Sequence, residues 1–144
     1  MDLPLTAKRR MKGKAFFDTN VLIYAAIRND PRSLCAEELL AIGGVISVQV
    51  LNEFVSVARR KHQMSWHDLK VALEWIRLLC PDTFPITIET HEKAVGIAEE
   101  CGYKIYDSLI IASALEANCP ILYSEDMRDG QVIDGRMRIR NPFR

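Results

Sequence analysis

Four acidic residues stand at the edges of apolar runs at four separated points of the chain. They are Asp18 in Phe-Phe-Asp-Thr-Asn-Val, Glu53 in Leu-Asn-Glu-Phe, Asp107 in Ile-Tyr-Asp-Ser-Leu-Ile-Ile and Asp126 in Leu-Tyr-Ser-Glu-Asp. An ionised carboxylate taken out of water without a partner is strongly disfavoured. If the fold gathers the four, a divalent cation is needed to hold so much negative charge together. A hard, oxygen-seeking ion such as Mg2+ or Mn2+ suits an all-carboxylate set. Such an ion acidifies a water molecule and steadies charge on an attacked phosphate, which points to phosphodiester hydrolysis.

Each acid also has a plainer account. Asp107 serves equally as a helix N-terminal charge, Asp18-Thr19-Asn20 as a helix cap, Glu53 as a solvated helix residue, and Asp126 as a turn residue ahead of Asp129-Gly130. Four coincidences at matching ends of elements favour the joint site. The chemistry requires no histidine base, and His62, His67 and His91 lie in polar surroundings expected of surface residues.

The elements that must position these acids alternate in type. Lys14–Phe17 reads as a short buried strand and Val21–Ala26 as helix. Asn29-Asp30-Pro31 reads as a cap and helix-starting proline, followed by a helix over Ser33–Ile42 closed by Gly43-Gly44. Val45–Val48 is β-branched and predicts a second strand; residues 49–61 continue as helix. Ser65 caps an amphipathic helix with Leu69, Ala72, Leu73, Ile76, Leu79 and Cys80 on one stripe, ended by Pro81. Thr83–Ile88 is a strand candidate interrupted by Pro85. Helix is predicted over 90–101, buried helix over Asp107–Ala117, strand over Ile121–Ser124 and an alternating edge strand over Met137–Arg140. Strands alternating with helices indicate an α/β sandwich around a mostly parallel sheet. In such sheets ligands bind beyond the carboxyl ends of the strands, which all four acids can reach.

At 144 residues the chain fits one domain, read as 14–144, after a flexible basic leader over 1–13 carrying Lys8, Arg9, Arg10 and Lys12. Met11 is an alternative start. Lys+Arg and Asp+Glu number 19 each, so net charge argues for no partner, and any nucleic-acid site must come from local clustering. Arg59, Arg60 and Lys61, and Arg136, Arg138 and Arg140 along one face of the last strand, are the clusters available to phosphates; each is equally accounted for as solvated charge. Trp66, Trp75 and Tyr103 are of a type that stacks on bases, though packing or an interface is favoured for the tryptophans. Cys35, Cys80, Cys101 and Cys119 have neither metal-ligand nor disulfide-framework spacing and are expected as reduced, mostly buried residues. No apolar stretch approaches the ~20 residues of a membrane span, and the first residues carry no apolar signal region, so a cytoplasmic protein is expected.

At Phe17-Asp18-Thr19-Asn20-Val21-Leu22, Asn52-Glu53-Phe54, Tyr106-Asp107-Ser108-Leu109-Ile110 and Leu122-Tyr123-Ser124-Glu125-Asp126, the chain resembles the PIN-domain nucleases, particularly the VapC-like toxins of bacterial toxin–antitoxin pairs. The tail from Asp129-Gly130-Gln131-Val132-Ile133 to Asn141-Pro142-Phe143 is similar to a bacterial branch of that family. In order and spacing the likeness covers about residues 14–143. It implies a three-layer α/β/α sandwich whose acids Asp18, Glu53, Asp107 and Asp126 bind one or two Mg2+ or Mn2+ ions. It also implies cleavage of single-stranded or structured RNA, leaving a 5′-phosphate and a 3′-hydroxyl. Ser124 matches a family Ser or Thr that supports the metal site, and Asn20 is expected to hold a water there. The basic leader lies outside the usual pattern.

The resemblance further implies a homodimer and a small antitoxin whose C-terminal segment inserts an Arg or Lys among the carboxylates. Helices within 49–80 are the expected contact elements. Two alternatives stay open: an RNA-processing PIN nuclease without an antitoxin, and a PIN fold kept only for nucleic-acid binding, against which the intact acidic set speaks. A receiver-type signalling domain wants a phosphoacceptor Asp after its third strand, where this chain has Ile88-Glu89. A haloacid-dehalogenase-like phosphatase wants Asp-x-Asp after the first, where Asp18-Thr19-Asn20 stands.

Overall fold

The computed structural model describes residues 13–144. Apart from Gly13, the leader expected over 1–13 lies outside the described residues. In chain order the elements are β1 (Phe16–Phe17), α1 (Thr19–Ala26), α2 (Ser33–Ile42), β2 (Ile46–Ser47), α3 (Val48–Arg60), α4 (Trp66–Leu79), β3 (Thr83–Phe84), α5 (Ile88–Cys101), α6 (Ile105–Glu116), β4 (Ile121–Tyr123), β5 (Val132–Ile133) and β6 (Met137–Arg140).

The expected α/β/α architecture with a mostly parallel central sheet is what the chain forms. β1 pairs in parallel with β4 (Phe16 opposite Leu122), β4 in parallel with β6 (Leu122 opposite Ile139), and β5 antiparallel to β6. β2 and β3 form a second parallel pair, Ile46 opposite Thr83. A bridge between Phe16 and Val45, with Phe17 N donating to Val45 O at 3.0 Å, joins the two pieces in the order β3-β2-β1-β4-β6-β5.

Phe16, Phe17, Val45, Ile46, Leu122 and Ile139 are buried at its centre. Their neighbour α6 is buried at every position from Ser108 to Leu115, as its nearly all-apolar composition requires. Gly44 marks the tightest approach. A Cβ there would stand 2.6 Å from the Phe17 ring and 2.8 Å from the Ala15 carbonyl oxygen, so only glycine lets the chain pass under the ring.

The strands are shorter than predicted, because polar caps take residues from them. Ser47 accepts from Val50 N and starts α3 inside the expected second strand. Thr87 and Thr90 form a reciprocal capping box, so Ile88 and Glu89 are helical and only Thr83–Phe84 of the expected Thr83–Ile88 strand pairs. Pro31 does not start α2. Asp30 accepts from Arg32 N in a turn, and the helix begins at Ser33 with Arg32 at its N-cap. β5 was not predicted at all, and Arg136 precedes β6 instead of lying along it. Cys80 and Cys119 are buried, Cys35 and Cys101 half-buried, and all four are free. Among the described residues no helix is long and apolar enough to cross a membrane.

Candidate active site

Asp18, Glu53, Asp107 and Asp126 line one cleft of ≈ 320 Å³, although 108 positions separate the first from the last. Each comes from a different segment. Asp18 N donates to Tyr123 O at 2.9 Å, extending the β1–β4 ladder by one rung and fixing Asp18 at the carboxyl end of β1. Glu53 lies in α3, which leaves β2 at the same end. Asp107 sits in the first turn of α6, and Asp126 in the turn after β4.

Asp18 is the buried member, and donors surround it. Thr19 N donates to Oδ1 and the Ser124 hydroxyl to Oδ2, both at 2.7 Å; Asn20 Nδ2 makes a longer approach to Oδ2 at 3.4 Å. The Ser124 oxygen accepts from Met127 N at 3.2 Å, which turns its own proton toward Asp18. Asn20 spans the site. Its Nδ2 also lies 3.4 Å from Asp126 Oδ2, while its Oδ1 accepts from Glu125 N at 3.3 Å. Glu53 is oriented from both sides, by the Thr19 hydroxyl at 3.0 Å and by Gln49 Nε2 at 3.3 Å.

Burial and mutual repulsion dominate the electrostatics of these acids. Burial raises Asp18 to about 7; the Ser124 and Thr19 hydrogen bonds pull the other way, and the negative charges of Glu53 and Asp107 add to the rise. Asp107 is raised as well, first by burial and then by Glu53 and Asp126, with Lys104 opposing. Among the described residues no salt bridge reaches any of the four acids. Hard oxygen donors of this charge suit Mg2+ or Mn2+. Among the described residues no three His, Cys, Asp or Glu side chains converge as a ready-made cage.

Of the six cations expected to face phosphates, only Lys61 lines the cleft. Arg59 turns away, donating to Met64 O and covering the Trp66 ring at 4.5 Å. Arg136 contacts Asp134 and Asn118, and Arg138 donates to Gly130 O. Arg60 and Arg140 are exposed away from the cleft lining. His62, expected only at the surface, is exposed but does line the cleft. Tyr103 carries Arg128 over its ring at 4.7 Å.

Several participants were not foreseen. Thr19 and Gln49 hold Glu53, and Tyr24, Asp30 and Arg32 line the cleft wall. The only trace of the last group in the sequence is Asn29-Asp30-Pro31, which reads there as a cap and a helix-starting proline. A separate, partly apolar groove of ≈ 570 Å³ runs between α1, α2 and α4, lined by Leu22, Leu40, Met64, Val71, Trp75 and Leu79 alongside Arg28, Glu37 and Asp68. It is larger than the acidic cleft but holds none of the four acids. Trp75 is 61% exposed there, so it does not pack into the core.

A family model described as PIN domain matches residues 15–131. VapC20 of Mycobacterium tuberculosis, described as a sarcin–ricin-loop-cleaving toxin, shares the fold with a TM-score of 0.66 at 21% identity, covering 78% of this chain and 89% of that one. A toxin–antitoxin complex from Klebsiella pneumoniae is similar with a TM-score of 0.67 at 23% identity, covering 90% and 98%. No curated protein matches the chain.

Proposed function

The chain belongs to the PIN domain family, and from that premise we propose that it is a metal-dependent endoribonuclease, the toxin of a type II toxin–antitoxin pair. The observation that carries this is the meeting of four carboxylates from four separate segments in one cleft, with no salt bridge to any of them among the described residues. We take residues 14–144 as the nuclease domain, supported by one continuous core running from Phe16 to Ile139.

Asp18, Glu53, Asp107 and Asp126 would hold Mg2+ or Mn2+. When bound, the ion supplies a more acidic water near neutral pH and stabilises charge on the attacked phosphate and leaving oxygen. The chain's own part is positional. Thr19 N–H and the Ser124 hydroxyl aim the Asp18 oxygens and oppose the rise in its pKa that burial causes. The Thr19 hydroxyl and Gln49 set the Glu53 rotamer. Asn20 ties Asp126 to Asp18 and would orient a water between them. Products would carry a 5′-phosphate and a 3′-hydroxyl.

The apolar groove supports the antitoxin. Val71, Trp75 and Leu79 of α4 are exposed along it, within the 49–80 region expected to make partner contacts. An amphipathic segment of a small antitoxin would lie there and extend an Arg or Lys to the carboxylates. A homodimer would use remaining exposed apolar residues. An RNA-processing nuclease without an antitoxin shares the acidic site but gives this groove no role.

Purified protein should cut at least one member of a panel of tRNA, rRNA fragments including the sarcin–ricin loop, and single-stranded RNA, with Mg2+ or Mn2+ present. EDTA and Asp107→Asn should each abolish cutting. A folded protein that neither cuts nor binds Mn2+ would refute the four-carboxylate site.

A further inference from the structure

We propose that the guanidinium of Arg32, backed by the Tyr24 ring, is a stacking platform for an unpaired RNA base at the mouth of the acidic cleft, an inference that rests on the nuclease function above. Arg32 and Tyr24 line the same cleft as the four acids. Arg32 Cζ stands 3.9 Å from the Tyr24 ring centroid, so one face of the guanidinium is covered. Its edges are held by carboxylates. Nε and Nη2 donate to Asp30 Oδ1 and Oδ2 at 2.8 and 2.7 Å, and Nη1 to Glu125 Oε1 at 2.6 Å.

The support beneath is fixed too. Tyr24 donates its hydroxyl to the same Glu125 oxygen at 3.1 Å, and Phe143 packs edge-on against its ring with centroids 5.2 Å apart. The plane is therefore pre-set, and little side-chain freedom is lost when a ligand lands on it.

Charge and geometry decide which part of a nucleotide fits. Asp30 and Glu125 together outweigh the one guanidinium, and three of its N–H donors are already used. A phosphate would meet a locally negative group with few free donors. The Tyr24 ring covers one face and three N–H groups are engaged, while 37% of the side chain stays exposed; the platform would use the uncovered face. Flat aromatic bases stack on such guanidinium planes. While the acids engage the scissile phosphate, a neighbouring base would rest on Arg32, more favourably a purine because its overlap is larger.

The test uses full-length Asp107→Asn protein and short fluorescent single-stranded RNAs, unmodified or abasic at successive positions, with binding read by anisotropy. One abasic position should weaken binding roughly tenfold. Adding Arg32→Ala should weaken binding of the unmodified RNA by a similar factor and erase the abasic penalty. Arg32→Lys, which keeps the charge but not the plane, should erase it too if the alanine variant folds poorly. Tyr24→Phe should preserve the penalty, separating the ring from its bond to Glu125. An abasic penalty that survives both Arg32 changes, or no sensitive position at all, overturns the platform. Cleavage of the same RNAs by unsubstituted protein is scored separately. Cutting without an Arg32-dependent base overturns the platform alone, and an Arg32-dependent base without cutting overturns the nuclease function alone.

Discussion

Ser124 donates its hydroxyl to Asp18 Oδ2 at 2.7 Å, linking the ends of adjacent parallel strands 106 positions apart in the chain. Both residues are buried, and Met127 N–H donates to the serine oxygen. Ser124→Ala removes a contact that lowers the Asp18 pKa and leaves the Met127 N–H without its acceptor. Stability should fall by about 1–3 kcal/mol in chemical denaturation. Mn2+ affinity, read by calorimetry, should drop roughly tenfold or more, because supporting hydrogen bonds tune metal ligands.

Without a divalent ion, the site should destabilise the fold as pH rises. Asp18 goes from an ordinary 3.8 to about 7 in the folded chain, so the native state holds a proton that the unfolded state has released across that window. Native stability then declines from the lower value to the upper one. Asp18→Asn removes the Asp18 share of this decline, while Asp107, also raised, keeps its own. It carries its own pH-independent cost, since an amide cannot accept from both Thr19 N and Ser124. The stability difference between variant and parent should nevertheless shift in the variant's favour by on the order of a few kcal/mol between pH 4 and 7. Denaturation at several pH values checks this, and saturating Mg2+ or Mn2+ should shrink the shift.

Gly44→Ala should cost about 1–3 kcal/mol, because the added methyl cannot sit beside the Phe17 ring and the Ala15 carbonyl without moving one of them. Phe17 directly precedes Asp18, so the Mn2+ affinity of this variant should fall along with its melting temperature. Unchanged stability would mean that the ring yields freely.

Trp75→Ala should leave the isolated chain's stability and RNA cleavage nearly intact, since the side chain is mostly exposed and lines the apolar groove away from the acids. Affinity for a co-expressed antitoxin should fall roughly thirtyfold or more, as expected when a tryptophan anchor is truncated. Binding by surface plasmon resonance, beside a cleavage assay on the same variant, separates the two effects.

Much of the fold was legible because helices advertise themselves over many residues. The stripe from Leu69 to Cys80 and its Ser65 cap marked α4, and the bounds of α2 matched the predicted Ser33–Ile42. Two-residue strands carry no period. β5 passed unnoticed for that reason, and β3 was drawn too long across Pro85. Candidate acids stood out because a carboxylate beside an apolar run needs an explanation. Lys61 and Arg59 looked equivalent in the sequence, yet they point to different surroundings, since two positions along a helix differ by more than half a turn.

By itself the sequence determined which residue types were available, which segments would be helical, and that Asp18, Glu53, Asp107 and Asp126 stand at the edges of apolar runs. Only the tertiary structure decided that the four line one cleft, that Ser124 and Thr19 aim Asp18, and that Arg32 lies on Tyr24 between Asp30 and Glu125. The physical reason is range. Helix periodicity and capping act over a few residues and leave a local pattern. Strand pairing, burial and the mutual repulsion of carboxylates act through space, between residues whose separation along the chain carries no record of their contact.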